Sequence, residues 1–174
     1  SVTEQIAAGK QALNGKRPVH SYIAYFQAFT NTYAPVRRLE ELYMQAIADP
    51  DVRILSIATR PDCLGPDVLE LLDRINRIKP VWVELGLQTI HPATAAYIRR
   101  GYDLPVFESA VGALRSRDIV VIVHTILYLP GETREQMLET LDYLNHMDIQ
   151  GIKLQLLHIL KGTRIAKEYQ DGGF

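Results

Sequence analysis

Five short apolar runs recur along the chain: Tyr22–Ala28, Val52–Ala58, Val81–Leu87, Ile119–Leu127 and Ile152–Leu157. Each has the length of a strand, and between them apolar residues switch to helical spacing. Val36, Leu39, Leu42, Tyr43, Ala46 and Ile47 predict one helix with a buried face. Val68, Leu71, Leu72, Ile75 and Ile78 predict a second, opened by Gly65-Pro66-Asp67. Two helical pieces follow the third run, about 93–100 and 105–116, separated by Gly101 and Pro105. The last helix runs about 134–147, with Met137, Leu138, Leu141 and Leu144 inward and Thr133 as N-cap. Ahead of the first run, Val2–Leu13 reads as a helix ended by Asn14-Gly15.

Strands that alternate with helices pair in parallel, because each parallel pairing needs a crossover. In such sheets chemistry collects at the carboxyl ends of the strands. Those ends carry Thr30-Asn31-Thr32, Thr59-Arg60-Pro61-Asp62, Gln88-Thr89, Pro130-Gly131-Glu132-Thr133 and His158 with Lys161-Gly162-Thr163. The opposite edge shows only connectors such as Pro50-Asp51 and Lys79-Pro80. The expected fold is therefore α/β: a partial (β/α) TIM-like barrel of about five parallel strands with helices on the outer face. The leading helix lacks the strand that should precede it in such a repeat, and residues 162–174 read as a dangling segment. We expect a fragment of a longer barrel, residues 1–174 forming one domain, with the first strand upstream.

Composition narrows the picture modestly. The net charge is −1 and the pI about 6.5, so nucleic acid is not indicated as a partner. No apolar run approaches a membrane span and the N-terminus does not resemble a signal peptide, so the expectation is a cytoplasmic protein without a membrane partner. The single cysteine, Cys63, excludes an internal disulfide and a self-contained cysteine metal site. A truncated barrel edge would also invite association.

Three segments carry a resemblance. They are Val81-Trp-Val-Glu-Leu-Gly-Leu-Gln-Thr-Ile-His-Pro92, Ile98-Arg-Arg-Gly-Tyr-Asp103 and Leu129-Pro-Gly-Glu-Thr133. Together they resemble the core of a radical SAM domain, in the branch shared by Elp3-type proteins and oxygen-independent coproporphyrinogen oxidases. Tyr25–Tyr33, Thr59–Leu64 and Leu157–Thr163 resemble a bacterial subfamily of uncharacterised Fe–S oxidoreductases. The resemblance implies S-adenosylmethionine (SAM) as cofactor. It also implies a 4Fe–4S cluster held by three cysteines in a loop after the first barrel strand. Thiolates hold such clusters, and this chain has no such triplet, so the cluster is expected only in a full-length parent.

The resemblance assigns Arg100 to the SAM carboxylate, for which a guanidinium offers two parallel donors. The alternative is a solvated arginine at a helix end. Gln88 follows the third run, where an amide both donates and accepts. Glu84 points the same way as Gln88 under strand alternation and is either cluster-facing or a hydrogen-bonded structural partner. Thr30 and Asn31 stand where related proteins bind the SAM amino group; otherwise they cap the following helix. His124 lies where related branches place aspartate. It would hydrogen-bond SAM, shuttle a proton, or rest as a satisfied core histidine. Tyr128 stands where the family's turn has glycine. Thr59, Arg60, His158 and Lys161 are further candidates at strand ends, whereas His20, His91 and His146 read as surface or turn residues. Cys63 sits near Arg60, and cations favour a thiolate, but without a partner motif it reads as structural. No catalytic residue and no metal ligand is assigned.

The resulting expectation is the SAM-binding portion of a radical SAM enzyme, inactive by itself. In full length such an enzyme cleaves SAM to a 5′-deoxyadenosyl radical. The competing class is a cluster-free binding module for a nucleotide-like ligand or a partner protein. An aldolase-like barrel is disfavoured, since only Lys153 places a lysine within a strand. The substrate is unknown at this stage.

Overall fold

The computed structural model describes residues 1–15 and 19–174. The apolar runs form β1 (Tyr22–Phe26), β2 (Val52–Thr59), β3 (Val81–Gln88), β4 (Val120–Leu127) and β5 (Gly151–Leu156). All neighbours pair in parallel, in the order β1-β2-β3-β4-β5. The helices are α1 (Val2–Asn14), α2 (Val36–Ile47), α3 (Pro66–Asn76), α4 (Pro92–Tyr97), α5 (Leu104–Arg115), α6 (Arg134–Asn145) and α7 (Arg164–Gln170). This is the expected partial α/β barrel.

The sheet is strongly curled. Four strand spacings of about 4.8 Å would hold β1 and β5 about 19 Å apart if flat. Yet Lys153 Nζ on β5 lies 3.2 Å from the Tyr25 hydroxyl on β1. Alternation splits the strands into two faces. Leu55 and Ile57 of β2, Val83, Leu85 and Leu87 of β3, and Val121 and Val123 of β4 face the helices and are fully buried. Against them pack Tyr43 of α2, Leu72 and Ile75 of α3, and Phe107 and Leu114 of α5. At about 1.5–3 kcal/mol for each large side chain buried, this outer layer is the main source of stability. The other face is concave and mostly open.

Local departures from the sequence reading have simple causes. Thr133 does cap α6, reciprocally with Gln136. Leu138, however, is exposed and Thr140 takes its place on the buried stripe, because 137, 140, 141 and 144 share one helix face and 138 is turned about 100° from 137. Ile78 is exposed, since α3 ends at Asn76. Asn76 ties that end to β3 by accepting from the Val81 amide (2.9 Å). His91 is not a surface residue: its ring is half-buried and Nε2 lies 2.9 Å from the Gln136 carbonyl, joining α4 to α6. Residues 162–174 are not dangling. Thr163 caps α7, Arg164 donates to the Tyr97 carbonyl (2.6 Å), and Tyr97 hydrogen-bonds Glu168, docking α7 on α4. Among the described residues no helix is long and apolar enough to cross a membrane.

Candidate functional site: a five-strand polar layer and the carboxyl edge above it

The register of the sheet brings one polar side chain from each of the other four strands to a single carboxylate on β3. Tyr25 stands opposite Ser56, and Gly86 opposite His124, which stands opposite Lys153. Glu84 is two residues before Gly86 on the same face. Its Oε1 accepts from Ser56 Oγ (2.6 Å), and its Oε2 from His124 Nε2 (2.5 Å), Tyr25 OH (2.9 Å) and Lys153 Nζ (3.2 Å). Burial pushes the Glu84 carboxyl up, but the hydrogen bonds from Ser56, His124, Tyr25 and Lys153 outweigh it and hold the group at about 2. Burial raises Tyr25, which keeps its proton. Burial disfavours the Lys153 ammonium, yet Tyr25 and Glu84 more than compensate and keep it charged. A buried carboxylate tolerates its surroundings only when its lone pairs are met in this way.

Above this layer, at the carboxyl end of β3, the chain is irregular. The register slips between Gly86 and Gln88, and Gln88 has φ 69°. A side chain on Gly86 would meet Gln88 Nε2 at 3.0 Å, so the Gln88 amide folds over Gly86 on the concave face, above Glu84. Gln88 Oε1 is buried without a hydrogen-bond partner among the described residues, as is Thr125 Oγ1 opposite. An unpaired buried acceptor is uncommon and costly.

The Arg-Arg-Gly-Tyr turn after α4 is built around Arg100, which is 8% exposed. Its Nη1 donates to the carbonyls of Thr89 (2.6 Å) and Leu87 (3.3 Å), and Nε to that of Tyr102 (3.0 Å). The guanidinium lies 4.8 Å from the Tyr102 ring centroid and that of Arg60 lies 5.4 Å from it. The Tyr102 hydroxyl bonds the Gly86 carbonyl, and burial pushes it up to about 12. Gly101 has φ +87°, a left-handed backbone that favours glycine, and the Arg60 guanidinium lies against it. Arg99 is exposed. Among the described residues no carboxylate pairs with Arg100, leaving a buried cation held by neutral carbonyls and the Tyr102 ring.

The other candidates fall elsewhere. Asn31 donates from Nδ2 to the carbonyls of Ala28 (3.1 Å), Phe29 (3.3 Å) and Ala58 (2.9 Å), lacing β1 to β2. Neither Thr30 nor Asn31 caps the next helix: the N-cap of α2 is Pro35, without a side-chain bond. Thr59 lies on the helix-facing side, 2.6 Å from Thr32 Oγ1. Thr32 gives its one proton to the Cys63 carbonyl (2.7 Å), so Thr59 is the donor in that pair. Arg60 forks onto Asp62 at 2.9 and 2.7 Å. Burial pushes the Cys63 thiol up and Asp62 adds to it, against a reactive thiolate. His158 is exposed beyond β5. The structure therefore gathers Glu84 and His124 in the concave-face layer, lays the Gln88 amide over Gly86 toward α6, and sets Arg100 in the turn between α4 and α5. It directs Asn31 and Thr59 to the framework.

Sequence reasoning did not select Tyr25, Ser56, Lys153 or Tyr102. The signal for the first three was a polar residue at the inward parity of an apolar strand.

The residues at this edge fit a zwitterionic nucleoside. Arg100 offers a desolvated cation to a carboxylate, and the Gln88 amide follows the same strand, its oxygen buried and unpartnered among the described residues. They do not fit an iron–sulfur cluster: there is one cysteine in the chain, and no three His, Cys, Asp or Glu side chains converge among the described residues. The chain is 47% identical over 163 residues to the uncharacterized protein YtqA of Bacillus subtilis, covering 94% of this chain and 51% of that one. It is 39% identical over 173 residues to protein YhcC of Escherichia coli, covering 99% and 55%. The chain thus spans about half the length of these relatives. Among solved structures, Methanocaldococcus infernus Elp3 with an N-terminal deletion superposes with a TM-score of 0.79 at 17% identity, over 99% of this chain and 45% of that one. Coproporphyrinogen III oxidase (HemN) from Escherichia coli, a radical SAM enzyme, superposes with a TM-score of 0.66 at 17% identity, over 91% and 38%. Both show the same fold. The sequence profile described as Radical SAM superfamily matches residues 2–144, and the chain belongs to that superfamily.

Proposed function

We propose that this chain is the SAM-binding portion of a longer radical SAM enzyme, with the cofactor seated at the carboxyl edge of β3 and β4. The observation that carries this reading is Arg100, a buried cation without an anionic partner among the described residues, held on the carbonyls that flank Gln88. Arg100 would receive the methionine carboxylate. Gln88 would accept from the ammonium or a ribose hydroxyl, and His124 and Glu84 would floor the cleft. When bound, SAM together with a reduced 4Fe–4S cluster supplies a 5′-deoxyadenosyl radical that abstracts hydrogen from a substrate. The cluster would have to be held by residues outside this chain, and a cysteine triplet encoded ahead of it is the simplest check of the reading. Without that triplet, the same edge would serve as a cluster-free nucleotide-binding module.

Calorimetry of SAM binding to the full-length, cluster-loaded enzyme tests the assignment. Removing a charge-assisted partner of a desolvated carboxylate costs roughly 2–5 kcal/mol, so Arg100→Ala should weaken SAM by about one and a half to three and a half decades. Arg100→Lys, which keeps charge but loses the fork, should fall between. Arg99 is exposed, and Arg99→Ala should change affinity little. A larger loss at Arg99 than at Arg100 overturns the assignment.

A further inference from the structure

The polar layer contains a proton-transfer group to which the cofactor reading gives only a place in the floor of the cleft. We propose that His124, oriented by Glu84, is a proton acceptor for a substrate O–H or N–H group presented to the concave face of the sheet through its Nδ1. The inference rests on the proposed function only for what is bound nearby; the dyad stands on its own geometry.

Glu84 is acceptor-only as a carboxylate, and His124 Nε2 lies 2.5 Å from its Oε2. Nε2 must therefore carry the hydrogen, which in the neutral ring leaves Nδ1 as the unprotonated, basic nitrogen. Nδ1 makes no hydrogen bond among the described residues. Nor is it sealed from solvent: the buried, unpartnered side-chain atoms are Gln88 Oε1 and Thr125 Oγ1. The remaining members of the layer cannot take a proton. Both Glu84 oxygens are engaged, Lys153 is held as ammonium, and Tyr25 keeps its phenol proton while donating it to Glu84. Gly86, directly opposite His124, has no side chain of its own, and the Gln88 amide lies over it. A carboxylate–imidazole pair with its second nitrogen open to a cleft is the arrangement that fixes a basic tautomer in general-base catalysis.

The step is simple in its accounting. The substrate O–H or N–H bond breaks, its electron pair stays on oxygen or nitrogen, and an Nδ1–H bond forms. The imidazolium positive charge then sits against Glu84, with no oxidant or reductant required. The class of molecule this favours carries a hydroxyl or N–H beside the carbon that reacts.

The experiment uses this chain with 15N-labelled histidine and needs neither cofactor nor cluster, so its failure and that of the SAM assignment are distinguishable. Two-bond proton–nitrogen spectra should show His124 as the Nε2–H tautomer with a bare Nδ1. Diethyl pyrocarbonate, which acylates the unprotonated ring nitrogen, should modify His124 at a rate within about threefold of exposed His158. Glu84→Gln brings an amide donor to Nε2 and should switch or mix the tautomer, lowering acylation of His124 by about tenfold or more. If that variant does not fold, the spectra and acylation rate of the unsubstituted chain decide by themselves, with His124→Gln losing the assigned signal and its acylation. An Nδ1–H tautomer in the unsubstituted chain, or a folded His124 inert to the reagent, would overturn the proposal.

Discussion

The turns that follow β1 and β3 lie two strands apart on the same edge of the sheet, and they handle their polar groups in opposite ways. After β1, the Asn31 amide meets three carbonyls and the Thr32 and Thr59 hydroxyls are closed into a chain ending on the Cys63 carbonyl. After β3, a buried guanidinium has no counter-charge, an amide oxygen has no donor, and Gln88 is held at φ 69°. The first turn is finished within the protein and the second is not. Under the proposed function, the second turn is the one that a bound ligand would complete. The Glu84 layer beneath combines both habits: its carboxylate is saturated, while one nitrogen of its histidine remains open.

The comparison can be broken most sharply at Glu84. Glu84→Ala leaves Lys153 and the polar layer without their acceptor, and should destabilise this chain by about 3–5 kcal/mol in denaturant unfolding. A loss under about 1 kcal/mol would mean that water replaces the carboxylate cheaply and the layer is not a closed network.

Acid should act through the same group. Glu84 sits at about 2 in the folded chain, below the ordinary 4.3 of a free glutamate. A lowered folded value contributes stability that is present above the unfolded value and is lost as pH falls through the folded one. Its contribution, on the order of 3 kcal/mol, should therefore disappear between about pH 5 and pH 2. Denaturant midpoints measured across that window should show this loss, and Glu84→Gln should flatten it. Equal acid sensitivity in both proteins would place the effect elsewhere.

The two turns themselves should respond with opposite sign. Asn31→Ala removes three side-chain donations between strand ends and should cost about 0.5–1.5 kcal/mol without altering SAM affinity in the full-length enzyme. Gln88→Gly relieves the left-handed strain and removes the orphaned acceptor, so it should stabilise by about 1 kcal/mol while weakening SAM. If Gln88→Gly destabilised the fold, the amide would be structural and the contrast between the turns would fail.

The smallest expected effect is on iron. Anaerobic reconstitution of this chain with iron and sulfide should leave no iron–sulfur absorbance, because one thiol cannot hold a cluster. A stoichiometric cluster per chain would show that ligands other than cysteine serve here.

Periodicity by itself determined the architecture. Five apolar runs with helical spacing between them admit one arrangement, a parallel sheet with helices outside, because parallel neighbours require crossovers and apolar faces must be covered. The family was legible for a related reason, since the motif residues lie close together in sequence, within single strand-end loops such as Ile98–Asp103. Glu84 and His124 could be marked as polar residues on apolar strands. That Tyr25, Ser56 and Lys153 join them could not, because these residues lie up to 128 positions apart in sequence and meet only through the curl of the sheet. Nor could sequence show that Asn31 and Thr59 belong to the framework while Gln88 stays unpaired. Which polar atom finds a partner depends on distances of a few tenths of an ångström between strand ends, and only the packed tertiary structure decides those.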